Sequence, residues 1–149
     1  MKTTKKQPKY VEWLNAEDMH QASRNWLSEL NFIKDEQHFL EDLIKSYTLQ
    51  LIDNSNFEKS KKIVDGLNKL QKKNKSLIKA VNIHESDLKI MVDGIDQIKE
   101  EQAYKNKHRE LIIYVSKYLK DYRALKAKLF DVIKAVMKKG KQKRLLSET

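Results

Sequence analysis

Apolar residues recur in three long stretches at alternating steps of three and four positions. The first runs Met19, Ser23, Trp26, Leu30, Ile33, Gln37, Leu40, Ile44, Tyr47, Leu51. The second runs Ile63, Leu67, Leu70, Asn74, Leu77, Val81, His84, Leu88, Met91, Ile95, Ile98. The third runs Leu111, Val115, Tyr118, Tyr122, Leu125, Leu129, Val132, Val136. A mean step of roughly 3.5 residues is the seam of helices that wind around one another with a left-handed sense. The pattern specifies packing and says nothing of chemistry.

Local signals place the ends of these helices. Asn15 reads as an N-cap, with Glu17 and Asp18 suited to the positive end of the helix dipole. The first helix is expected over 15–52, and Asp53-Asn54-Ser55-Asn56 is the clearest turn, because all four residue types favour turns or caps. The second helix is expected over 57–103, with Gly66 and Gly94 inside it, each costing roughly 1 kcal/mol against alanine. They mark close helix contacts or weak points. The third is expected over 107–139, beginning between Tyr104 and His108 and ending at Gly140, a good C-cap residue. Residues 1–14 form a basic arm that turns apolar at Tyr10, Val11, Trp13 and Leu14, and residues 141–149 a basic tail that frays. The expected fold is all-α: an elongated up-down-up antiparallel bundle of three long helices with heptad packing, joined by two short connections.

Each apolar face is wider than a two-stranded seam needs. Leu27, Phe32, Phe39 and Leu43 broaden the first. Val64, Ile78, Ile83, Ile90 and Val92 broaden the second, and Ile112, Leu119, Phe130, Ile133 and Met137 the third. Such breadth suits a core that touches two neighbours, and any surplus would drive self-association. Gln37, Asn74, His84 and Tyr122 are polar groups on the stripes. If the two connections centre near residues 54 and 104, Gln37 comes level with Asn74, and His84 with Trp26 and Tyr122. These would be polar layers that fix helix register. The sharper reading is a small binding site around His84, Tyr122 and Trp26.

Composition narrows the picture further. Three glycines and one proline, Pro8, argue against a turn-rich sheet protein. The absence of cysteine excludes disulfides, thiolate metal sites and a cysteine nucleophile. The N-terminus has no apolar segment of signal-peptide length, and the longest apolar run, Leu111 to Val115, is too short to span a bilayer. A cytoplasmic protein without a transmembrane segment is expected.

No catalytic constellation appears. Glu17-x-x-His20 and Asp35-x-x-His38 have the spacing that di-iron bundles use. Both lie on the first helix, however, and both histidines fall one step off the core stripe, so solvated charges are the expectation. There is no phosphate-binding glycine loop, His-Glu-x-x-His pair or nucleophile elbow. Neither an enzyme nor a cofactor nor a metal is expected.

Charge is the remaining signal. The chain carries +10, and residues 107–144 alone hold thirteen basic and three acidic side chains. Residues 15–53 hold three basic and eight acidic ones, so part of the excess can be compensated between the first and third helices. The exposed basic positions expected to face a partner are Lys117, Lys120, Arg123, Lys128, Lys134, Lys138, Lys139, Lys141, Lys143 and Arg144. The aromatics sit mostly on core stripes, which weakens a nucleic-acid reading. The expected function is that of a non-enzymatic helical-bundle interaction or scaffold protein that forms a homo-oligomer. The alternative is a module that binds nucleic acid, an anionic membrane or an acidic protein through the third helix and tail.

Overall fold

The computed structural model describes residues 15–53, 57–93 and 98–147. The N-terminal arm, most of the expected Asp53–Asn56 turn, Gly94 and the last two residues lie outside them. The described chain is all-α. Three long helices, α1 (Ala16–Ser46), α3 (Phe57–Asp93) and α4 (Ile98–Ser147), pack antiparallel in sequence order, and a single turn, α2 (Thr48–Leu51), follows α1.

Asn15 caps α1: its Oδ1 accepts a hydrogen bond from the Asp18 amide at 2.8 Å. The break after Ser46 has a local cause. The Ser46 hydroxyl donates to the Asp42 carbonyl, and the Thr48 hydroxyl to the carbonyls of Ile44 and Lys45. Side chains that bond back to carbonyls one turn earlier loosen and bend a helix. Here Tyr47 leaves helical geometry, at φ −113° and ψ 20°. The expected single helix to residue 52 is therefore interrupted at one residue.

The second connection is displaced from its expected place. Tyr104 and His108 lie inside α4, not at its start, and the described part of α3 ends at Asp93. Both residues are buried, and they continue the stripe upstream of Leu111 by steps of three and four. Glu100 and Glu101 occupy the first turn of α4, where the dipole favours acids, and Glu101 pairs with Lys105 one turn on. Reading the stripe from Leu111 missed one full repeat. At the other end α4 runs through Gly140 to Ser147, so Gly140 is not its C-cap and the described tail is helical.

The described residues divide into two compact units. One comprises residues up to Phe32 with Asn74–Lys117, the other Ile33–Lys73 with the residues from Tyr118 onward. The core of the first includes Met19, Leu30, Val81, Leu88, Tyr104, Leu111 and Val115. The core of the second includes Ile33, Leu40, Leu51, Ile63, Leu67, Tyr118, Tyr122, Leu129, Val132 and Val136. In that unit α3 and α4 come close at Gly66, where an added Cβ would lie 2.9 Å from a methyl of Leu125. The broadening residues behave differently. Ile133 is buried, whereas Phe32, Phe39, Ile83, Ile90 and Met137 are more than half exposed, and Phe130 is 36% exposed.

Candidate functional site

The first unit contains a buried cluster of polar and aromatic side chains. The stripe turns His84 of α3 and His108 of α4 into the core, where each is 1% exposed. His84 Nε2 and His108 Nδ1 lie 2.9 Å apart and share one hydrogen bond. The Tyr104 ring stacks on His84 at 3.9 Å with only 3° between the planes, and Trp26 of α1 stacks on His108 at 4.9 Å. The four rings thus come from all three long helices.

Burial dominates the ionisation of this cluster. It lowers His108 to a pKa of about 4. It lowers His84 to about 4 as well, with smaller contributions from His108 and Lys107. Both imidazoles are neutral at physiological pH. In a neutral pair one nitrogen of the shared bond donates and the other accepts, so the two outer nitrogens, His84 Nδ1 and His108 Nε2, carry opposite roles. Neither has a protein partner. Burial also raises the Tyr104 hydroxyl, helped by the nearby Glu85 and Asp87 carboxylates, while Ser23 works weakly the other way. Neither the Tyr104 nor the Ser23 hydroxyl makes a hydrogen bond of good geometry. A groove of about 280 Å³ passes His84 and Tyr104, lined also by Asp87, Met91, Glu100 and Lys107.

This is a neutral, stacked histidine dyad joined by one hydrogen bond. Glu17 is not the partner of His20: His20 Nδ1 bonds to Glu85 Oε2 of α3 at 2.6 Å. Among the described residues no three His, Asp or Glu side chains are grouped to hold a metal ion.

The expected polar layers are rearranged. All four of Gln37, Asn74, His84 and Tyr122 are buried. Asn74, however, donates its amide to the Leu30 carbonyl at 3.0 Å. Gln37 Nε2 has no partner and lies at a groove of the second unit. Tyr122 belongs to the second unit. Its hydroxyl donates to Glu36 Oε1 at 2.6 Å, and Lys126 reaches the same oxygen at 2.9 Å. Burial alone would raise Glu36, but the Tyr122 and Lys126 hydrogen bonds and the Lys126 charge outweigh it, leaving its pKa below 4.5. The same contact, after burial, pushes the Tyr122 hydroxyl upward. His108 and Tyr104 were not singled out by sequence; the signal for them was the stripe's upstream continuation.

The basic residues of α4 are exposed where their side chains are described: Lys117, Lys120, Arg123, Lys128, Lys134, Lys138, Lys139, Lys141 and Arg144. The Lys143 side chain lies outside the described residues. Lys139 reaches Asp53 at 3.5 Å. In the second unit a groove of about 490 Å³ is lined by Ile63, Leu125, Val132 and Ala135, with Lys59, Lys62 and Lys128 and one acid, Asp131, beside them.

No family model matches this chain, and comparisons with curated proteins and with solved structures find no match. Among the described residues no helix is long and apolar enough to cross a membrane.

Proposed function

We propose that this chain is a non-enzymatic helical-bundle interaction protein that works by associating with itself. One observation carries the reading: large apolar side chains recur seven residues apart on the outside of each long helix. Phe32 and Phe39 do so on α1, Ile83 and Ile90 on α3, and Phe130 and Met137 on α4. Single exposed apolar residues are ordinary on a monomer. Pairs at heptad spacing form outward seams, the arrangement that lets helices of one molecule pack on those of another. Multi-angle light scattering over a wide concentration range tests this. A concentration-dependent rise to dimer or beyond is expected, and a strict monomer throughout removes the reading.

A second reading draws on the lysines flanking the α3/α4 groove in the second unit. Lys59, Lys62 and Lys128 beside an apolar lining would suit an acidic, partly apolar protein segment. Titration with acidic peptides, nucleic acid and anionic vesicles at two salt concentrations distinguishes the ligand classes. Absence of salt-sensitive binding to all three removes this second reading.

A further inference from the structure

We propose that the α1/α4 face of the second unit docks a second copy of this chain, related by a two-fold axis parallel to the helices, so that acidic α1 of each copy lies on basic α4 of the other. The proposal rests on the self-association reading and specifies its surface and symmetry.

The face is located by contacts inside the unit. Glu36 meets Tyr122 and Lys126, so position 36 marks the side of α1 turned toward α4, and position 126 the side of α4 turned toward α1. Helical spacing then sets the neighbours. On α1, Phe39 and Leu43 follow Glu36 by steps of three and four. On α4, Leu119, Phe130 and Met137 share a row with Lys126. Phe39 is 58% exposed, Met137 52% and Phe130 36%, while Leu43 and Leu119 are half-buried. Because α1 and α4 run in the same direction with the same rise, Leu43 comes level with Phe130. The apolar rows therefore lie side by side on one face.

The charges flanking the two rows are opposite. Asp35 and Asp42 lie on the outer flank of the α1 row, and both are exposed. Arg123, Lys134 and Lys141 lie on the outer flank of the α4 row, and all three are exposed. In isologous pairing the same patch must complement itself. An axis across the helices would stack α1 on α1 and α4 on α4, bringing like charges together. An axis along the helices stacks α1 on α4 twice at equal height, bringing Asp35 level with Arg123 and leaving Lys134 about 7.5 Å of rise beyond Asp42, within the reach of a lysine side chain. Charge complementarity thus selects the parallel arrangement, and the apolar rows supply the area that is removed from water.

Two charge-reversed proteins test the pairing: Asp35→Lys with Asp42→Lys, and Arg123→Glu with Lys134→Glu. Each alone is expected to dimerise at least roughly tenfold more weakly than the natural chain, because both contacts become repulsive. An equimolar mixture is expected to recover dimer, because each reversed helix then meets its complement; a folding defect would not be rescued in this way. The axis is read separately, since the chain has no cysteine of its own. Asp42→Cys mixed with Lys134→Cys should give 42-to-134 crosslinks with a short thiol-reactive linker, and neither should link to itself. A natural chain that never dimerises overturns this proposal together with self-association. A dimer unaffected by the charge reversals, or one that links position 42 to position 42, overturns the face or the axis and leaves self-association standing.

Discussion

At the scale of single residues, the buried imidazole pair has the largest measurable consequence. His84 and His108 titrate near pH 4 in the folded chain against an ordinary value of 6.5. Between those values the unfolded chain binds more protons than the folded one, so stability falls as pH is lowered from 6.5 to 4 and changes little from this source outside that window. The two imidazoles titrate as one coupled unit, and the effect is on the order of a few kcal/mol for the pair. Urea unfolding at a series of pH values should show a falling midpoint across the window, and the double variant His84→Leu with His108→Leu should abolish most of that slope. An unchanged slope in the variant would place the acid sensitivity elsewhere. Glu36 acts at lower pH: its folded pKa lies below 4.5, so its contribution is present above 4.5 and lost as pH falls through the folded value. Tyr122→Phe removes the hydroxyl from that contact and should cost about 1.5–3 kcal/mol, the range for hydrogen bonds to charged groups. A change in the urea midpoint too small to resolve would show that the contact contributes little. His84 and Tyr122 were both visible in the sequence as polar members of a stripe. Their partners were not, because partners depend on helix register, and the register followed from a connection displaced by several residues.

At the scale of elements, the helices are set by periodicity, but their ends are set by local competition for backbone groups. Asn15→Ala should cost about 1 kcal/mol, since the Asp18 amide loses its acceptor. Thermal unfolding followed by circular dichroism would register the loss, and no shift in midpoint would mean the cap is redundant. The two described glycines should respond differently to alanine. Gly140 lies inside α4 with open space around a new Cβ, so Gly140→Ala should gain up to about 1 kcal/mol. At Gly66 the same gain is offset by displacement of Leu125, whose methyl would lie 2.9 Å from the Cβ. The ordering of the two variants in denaturant midpoint checks this. Equal gains would show that the Leu125 side chain moves aside at little cost. The interruption at Tyr47 was not legible from heptads, because it comes from hydroxyl groups of Ser46 and Thr48 that the apolar pattern does not count.

At the scale of the molecule, the distribution of charge and surplus apolar surface governs behaviour in solution. The positive excess lies largely on α4 residues after Lys117, and the acidic excess on α1. A dimer that pairs these helices should weaken as salt is raised, because its orienting contacts are exposed charges. Sedimentation velocity at two ionic strengths measures this, and an association that strengthens with salt would point to apolar contact alone. The sequence showed that each apolar face was wider than a simple seam. It did not show which broadening residues face outward. Ile133 turned inward and Met137, four positions on, did not.

The sequence by itself determined an all-α chain of three long antiparallel helices, because the heptad stripe and scarce glycine and proline leave no competing period. Among the described residues it also determined most of the core stripe, since burial follows that same period, but not its members Tyr104 and His108. Only the tertiary structure decided which polar groups meet. Asn74 found the Leu30 carbonyl, His84 found His108, and Tyr122 found Glu36. A shift of one helical turn in register leaves the apolar stripe facing the core but exchanges every cross-helix partner. Polar contacts are short-ranged and directional, so register alone assigns them.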